Sequence, residues 1–361
     1  MSHFHPLHKV GQLFVKSIVP MFFGFSAISQ AEPLKVLFIG NSYTHMNDMP
    51  SIFEKIAKKA GKDVIVEKNT LAGASFSVHS ERNDMYEAIN KRKWDYVVLQ
   101  GYSRELSFPC QHIDTATIPY LTKITDSIYT NNPCTQILFY MTWGYDEGFS
   151  EREEVNSFDK MADSIERGYQ YLGAIFDVPV VPVGMVWKNV RNSTGINLYA
   201  SDKAHPNKNG SYLIASTFYN AVFNESIKNV FTGTIPDTSA VKIKEQMERY
   251  MGMNKLKYRL NENRYDVRKE TTRNGEFVIH FTSNFPDACS VRWSFGDGTY
   301  SNLPSGEHVF KKEGTYKMKY TVDLPCGVRN FTSSVTFDPI KQPVKRKHSK
   351  PQVTGKNGRK S

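Results

Sequence analysis

The sequence predicts a parallel α/β domain followed by a small all-β sandwich. Three observations carry this. From residue 34 to about 250, apolar β-branched runs alternate with helical patterns, as in a parallel sheet with helices on both faces. Those runs are nearly continuous in apolar residues, as strands buried on both sides require. Residues 275–338 then show short strand-like runs broken by Gly, Asp and Pro turns, with no helical period.

The elements follow in order. Strands are expected at 34–39 (LKVLFI), 64–70 (VIVEKNT), 94–100 (WDYVVLQ), 135–143 (TQILFYMTW) and 178–184 (VPVVPVG). Helical patterns lie between them at 50–61 (PSIFEKIAKKAG), 85–93 (MYEAINKRK), 118–132 (IPYLTKITDSIYTNN) and the charged stretch 151–171. Two more are expected at 207–223 and about 239–251. A polar connector, MNKLKYRLNENRYDVRKE, leads to the strand runs GEFVIHFTSN, CSVRWSFGDG, GTYKMKYTVD and RNFTSSVTF. The organisation reads as a leader at 1–31, an α/β domain at 32–252, a connector at 253–268, a sandwich at 269–340 and a basic tail at 341–361.

Both ends of the chain distort the net charge of +10. The tail carries eight Lys or Arg and no acid, and the leader adds Lys9 and Lys16, which leaves residues 32–340 with a formal charge of zero. A nucleic-acid groove needs positive charge clustered on a folded face, so the body is not expected to bind nucleic acid. The tail reads as a solvated, disordered end. The leader has a weakly basic start, the apolar run SIVPMFFGFSAI and then Ser29-Gln30-Ala31. That is the pattern of a secretory signal cleaved after Ala31, so the protein is expected in a periplasm or outside the cell. The run is too short to span a membrane, and no cysteine follows it to carry a lipid. His3, His5 and His8 fall in this leader and are not read as a metal site.

The chain has four cysteines, Cys110, Cys134, Cys289 and Cys326. In an exported chain an even count fits two disulfides, and the sequence-local pairing is Cys110 with Cys134 and Cys289 with Cys326. Their spacing does not suggest zinc.

The chemistry gathers at strand ends. Gly40-Asn41-Ser42 follows the first strand, Ala72-Gly73-Ala74 the second and Gln100-Gly101-Tyr102-Ser103 the third. In a parallel sheet these share one edge, where sites of this fold class lie. Asp202-Lys203-Ala204-His205-Pro206 stands just before the helix at 207–223. Acyl transfer needs a nucleophile, a base, a group that orients the base, and donors for an oxyanion. Ser42 can attack, His205 can take its proton, and Asp202 can hold the other ring nitrogen. The amides of Ser42 and Gly73 and the side chain of Gln100 can meet the oxyanion. His45 and His79 lack a carboxylate at fixed spacing and read as wall residues. No GxSxG elbow, phosphate-binding GxxxxGK[ST] loop or GxGxxG motif is present, and no metal or cofactor is required.

With GNS after the first strand, a glycine after the second and DxxHP near its end, the α/β domain resembles the SGNH (GDSL-like) hydrolase superfamily over residues 34–250. The resemblance implies a three-layer α/β/α, flavodoxin-like sheet and an esterase, lipase or carbohydrate acetylesterase. It also implies Ser42 as nucleophile, His205 as base, Asp202 as orienter and Gly73 as an oxyanion donor. Two departures stand out. The family's Gly-x-Asn after the third strand is replaced by LQGYSRE, as in sialate O-acetylesterase-like branches, which puts Gln100 or Ser103 in the asparagine's role. Asn41 stands where many relatives carry aspartate.

FYMTWGYDEG at 139–148 resembles a bacterial branch of the superfamily common in gut Bacteroidetes, which implies that Trp143 and Tyr102 line the pocket. Trp293-Ser294-Phe295-Gly296-Asp297-Gly298, with His308-Val309-Phe310 and Gly314-Thr315-Tyr316, resembles the PKD domain, an immunoglobulin-like sandwich. Trp293 and Phe295, two apart, face its core. Together these imply an exported serine esterase that removes O-acetyl or similar groups from carbohydrates. A non-catalytic glycan-binding protein with a degenerate site, or a lipase or thioesterase of the same fold, are the alternatives. The implied partner is an ester-bearing small molecule or glycan.

Overall fold

The computed structural model describes residues 32–339 apart from 228–230, 234, 261–264, 273, 286–287 and 325–326. The leader at 1–31 and the basic tail at 341–361 lie outside the described residues. Five parallel strands form the first sheet: β1 (Leu34–Gly40), β2 (Val64–Thr70), β3 (Tyr96–Leu99), β4 (Gln136–Tyr140) and β5 (Val180–Val181). Their order is β2-β1-β3-β4-β5, the flavodoxin-like winding.

The alternation of side chains along β1 divides the core in two. Val36 and Phe38 point into one half, Leu37 and Ile39 into the other. Helices Met49–Lys59, Val183–Thr194, Lys208–Phe223 and Asp237–Asn254 cover the first face. Helices Asn83–Asn90, Ile118–Asn131 and Phe158–Phe176 cover the second. The result is a three-layer α/β/α domain. Lys208–Phe223 is buried on every side from Gly210 to Asn220, which is why its sequence shows little amphipathic contrast. Phe218 in this helix meets Phe38 edge-on, with ring centroids 5.2 Å apart.

One expected strand is much shorter than the sequence suggested. The run at 178–184 yields only Val180–Val181, and a helix starts at Val183. Pro179 and Pro182 flank these two valines and supply no ladder N–H, so the regular ladder is confined to Val180 and Val181.

The second fold unit is an antiparallel sandwich of β6 (Tyr265–Thr271), β7 (Phe277–Ser283), β8 (Ser290–Ser294), β9 (Tyr300–Ser301), β10 (Ser305–Phe310), β11 (Gly314–Leu324) and β12 (Gly327–Phe337). Its sheets run β10-β7-β6 and β12-β11-β8-β9. The first strand begins at Tyr265, inside the stretch read as connector. Trp293 and Phe295 are buried in the core between the sheets, as their spacing predicts. The tight turn at Gly296-Asp297-Gly298 is fastened by Asp297, which accepts from the Thr299 amide and contacts His308 Nε2 at 2.8 Å.

The sandwich meets the sheet at the strands' amino ends. The Arg329 guanidinium donates to the Cys134 carbonyl. Tyr96 and Gln136, which open β3 and β4, share a cavity of about 280 Å³ with Tyr265 and Phe331 of the sandwich. Neither sequence-local disulfide forms. Cys110 and Cys289 are free thiols and Cys134 is disulfide-bonded. Cys326 lies outside the described residues.

Candidate active site

The carboxyl ends of β1, β2 and β3 place three loops on one rim. β1 ends at Gly40, and a single helical turn, Ser42–His45, follows directly. Glycine is needed at position 40 because a Cβ there would stand 2.4 Å from Thr44 Oγ1 and 2.6 Å from Gln100 Oε1. The Asn41 carbonyl accepts from the Thr44 and His45 amides, and Asn41 Oδ1 accepts from the Tyr43 amide. These bonds fix the turn and hold Ser42 at its start.

The loop at 199–206 brings the histidine over from the far side of the chain. Tyr199 and Pro206 form a β-bridge, and the Ala200 amide donates to the His205 carbonyl at 2.8 Å. Trp143 Nε1 donates to the Ala204 carbonyl, and Asn47 Nδ2 to the Pro206 carbonyl. So held, His205 Nε2 lies 2.9 Å from Ser42 Oγ, and His205 Nδ1 lies 2.5 Å from Asp202 Oδ2. Asp202 Oδ1 accepts from the amides of Ala204 and His205. Burial raises the Asp202 carboxyl, but these amides and the imidazole outweigh it and hold it below the usual carboxylate range. A carboxylate can only accept, so Nδ1 carries the proton and the Nε2 lone pair faces the serine.

The loop after β2 turns at Gly73, whose φ of +71° favours glycine. Among the described residues, neither the Gly73 amide nor the Ser42 amide donates to a protein acceptor. Gly73, Ser42, Tyr102, Ser103, Tyr145 and His205 line one cleft of about 280 Å³. Ser103 Oγ is 2.8 Å from Tyr145 Oη at its wall. A serine–histidine–carboxylate relay thus opens into a small cleft that also holds two unengaged amides. That arrangement can perform acyl transfer. Among the described residues, no cluster of His, Cys, Asp or Glu could hold a metal ion.

Two residues expected at this cleft do not reach it. Gln100 is fully buried: its Oε1 accepts from the Asn41 amide and Thr44 Oγ1, and its amide nitrogen donates to the Gly101 carbonyl. The backbone donor at Asn41 fixes which way the amide faces, so Gln100 supports the nucleophile turn and offers nothing to an oxyanion. Trp143 is also fully buried. It lies between Tyr43 and Trp187, with centroids at 4.3 and 4.1 Å and planes 5° and 1° from parallel. It braces both the nucleophile turn and the histidine loop from beneath. Tyr102 does line the cleft, and so does Ser103, the other residue weighed for the asparagine's role.

His45 and His79 are not wall residues. His45 is exposed outside the cleft, and His79 is buried, with Nδ1 3.1 Å from Arg82 Nη1. Burial and the charge of Arg82 push the His79 imidazole down to about 4.

Two further residues shape the rim. Asn41 Nδ2 donates to the Ala74 carbonyl at 3.0 Å and the Gly101 carbonyl at 3.2 Å, tying all three loops together. An aspartate could make neither bond, which gives this departure from the family pattern a physical role. Glu105 is buried, and its carboxyl accepts from the amides of Tyr102 at 2.7 Å and Phe76 at 3.2 Å. It clamps the second loop to the third. Burial raises its carboxyl to about 7 against the pull of these amides and the Thr117 hydroxyl.

These features define a five-stranded parallel α/β domain with a serine–histidine–carboxylate relay at the sheet's carboxyl edge, followed by an antiparallel sandwich. Residues 266–338 match the PKD domain family. A solved DUF4886 family protein from Bacteroides uniformis is similar, with a TM-score of 0.54 and 18% identity over 61% of this chain and 95% of that one. A protein from Slackia heliotrinireducens described as an SGNH hydrolase matches with a TM-score of 0.43 and 23% identity, over 52% of this chain and 98% of that one. A variant of an acetyl xylan esterase from Geobacillus stearothermophilus matches with a TM-score of 0.39 and 14% identity, over 51% and 92%. At these identities the likeness is one of fold. No curated protein matches the sequence.

Proposed function

We propose that the chain is an exported serine esterase that removes acetyl or similarly short acyl groups, with a carbohydrate as the alcohol part. The observation that carries this reading is the hydrogen-bonded chain from Ser42 through His205 to Asp202, which ends in a cleft. Ser42 Oγ attacks the ester carbonyl while His205 Nε2 takes its proton. Asp202 stabilises the imidazolium that forms. The amides of Ser42 and Gly73 receive the oxyanion, with the Ser103 hydroxyl beside them in place of Gln100. The imidazolium then protonates the leaving alcohol. A water deprotonated by His205 attacks the acyl-enzyme and releases the acid.

A cleft of about 280 Å³ suits an acetyl group better than a long acyl chain. The Tyr102 ring at its wall offers a face on which a sugar can stack. Export rests on the leader sequence alone.

The test compares hydrolysis of 4-nitrophenyl acetate and butyrate by the protein and its Ser42→Ala variant. The expected result is acetate hydrolysis faster than butyrate, reduced by at least ~10³-fold in the variant. Equal rates for the two proteins, on these esters and on acetylated polysaccharides, would overturn the esterase reading in favour of a glycan-binding protein.

A further inference from the structure

We propose that the cleft carries an anion subsite built on Arg104, and that the preferred ester bears a carboxylate. This rests on the esterase reading and names its substrate class. Arg104 directly follows Ser103, which lines the cleft. Its guanidinium carbon lies 3.6 Å from the ring centroid of Phe149 and 5.5 Å from that of Tyr102. Its Nη2 donates to Tyr102 Oη at 3.2 Å. The group is therefore held beside a cleft-lining side chain by two aromatic rings and one hydrogen bond.

Among the described residues Arg104 forms no ion pair, whereas other cations of the domain do. Lys203 pairs with Glu147, Arg191 with Asp146, and Arg82 with Asp84. The nearest carboxylates in sequence and at the cleft are already committed. Glu105 faces the amides of Phe76 and Tyr102, and Asp202 faces His205 and Ala204. A guanidinium has five N–H donors, and one of them is engaged here.

Aromatic contact also removes water from its face and leaves its donor edge for a ligand. A rigid planar fork of this kind matches a carboxylate, which it binds through two parallel hydrogen bonds. The carboxylate can belong to the acyl part of the ester or to its alcohol part, as on an acidic sugar.

The test measures kcat/KM for the wild type, Arg104→Gln and Arg104→Lys on three esters. These are 4-nitrophenyl acetate, 4-nitrophenyl hemisuccinate with the charge on the acyl side, and 3-acetoxybenzoate with the charge on the alcohol side. The reading is the ratio of charged to neutral ester within each protein. We expect Arg104→Gln to lower this ratio at least ~10-fold for one charged ester, with Arg104→Lys in between because it keeps charge but loses the fork. The ester affected tells which side of the substrate carries the charge. Ratios equal across the three proteins overturn the subsite while leaving the esterase intact. Should the wild type hydrolyse none of the esters, calorimetric titration with glutarate decides the subsite separately. Binding lost in Arg104→Gln supports it, and binding absent or equal in both overturns it.

Discussion

Replacing Glu105 with glutamine removes a buried carboxyl that burial lifts toward neutrality while keeping its shape. Burial lifts this group from the 4.5 of a free glutamate to about 7. The residue is 8% exposed, so solvent does little to screen it. Below pH 4.5 the side chain is protonated in both folded and unfolded chains. As pH rises from 4.5 to 7 the unfolded chain ionises first, so stability falls through this window and levels off above it. The interval of two and a half units corresponds to about 3 kcal/mol. Glutamine does not titrate. With its oxygen in the place of Oε2 it accepts from both the Phe76 and the Tyr102 amides and turns its NH2 toward the Thr117 hydroxyl, so any penalty is constant with pH.

The assay is urea unfolding of both proteins at intervals from pH 4.5 to 8.5, followed by tryptophan fluorescence. The wild-type stability minus that of Glu105→Gln should decline by about 3 kcal/mol between pH 4.5 and 7 and then stay flat. A difference constant to within ~1 kcal/mol across the range would refute the reasoning, since the carboxyl would then titrate alike in both states.

Other changes test the rim. Asn41→Asp would set a carboxylate against the carbonyls of Ala74 and Gly101, where the amide now donates at 3.0 and 3.2 Å. Losing both bonds and burying an unpaired charge should cost at least ~3 kcal/mol at pH 7, read as a lowered Tm that partly recovers in acid as the new aspartate protonates. Trp143→Phe removes the donor to the Ala204 carbonyl and shrinks the stack under His205. We expect esterase turnover to fall more than ~10-fold with far-UV circular dichroism unchanged, because a small displacement of the base is enough. Unchanged turnover would show that the backbone bonds of the 199–206 loop position His205 unaided.

Ser42 and Gly73 could be placed together from the sequence because strand ends of a parallel sheet share an edge, whereas Asp202 and His205 follow no strand and were placed by the resemblance of DxxHP alone. What the sequence hid was side-chain direction. Gln100 and Trp143 stand at the right strand ends, yet both turn inward. Gln100 is drawn to the Asn41 amide that Gly40 lets approach, and Trp143 to two facing rings. Glu105 sits beside Arg104 in a polar stretch that carries no sequence signal of burial. Only the fold shows that the carboxylate faces two backbone amides and the guanidinium does not share it. The disulfide pattern was equally out of reach, since Cys110 and Cys134 are near in sequence but not bonded to each other: Cys110 is a free thiol while Cys134 is disulfide-bonded. The core of the sandwich was the easier part, because Trp293 in β8 and Phe295 just past its end keep the alternation of a strand.

The stack of Tyr43, Trp143 and Trp187 joins the two loops of the relay through one column of rings. Two of the chain's four tryptophans lie in it, with planes 1° apart. Indoles this close and this parallel share their electronic transitions, which gives the column an optical signature distinct from that of Trp94 or Trp293. The protein therefore carries a built-in reporter: the packing of the ring column that braces the serine turn and the histidine loop can be followed by light, without a label and without a substrate.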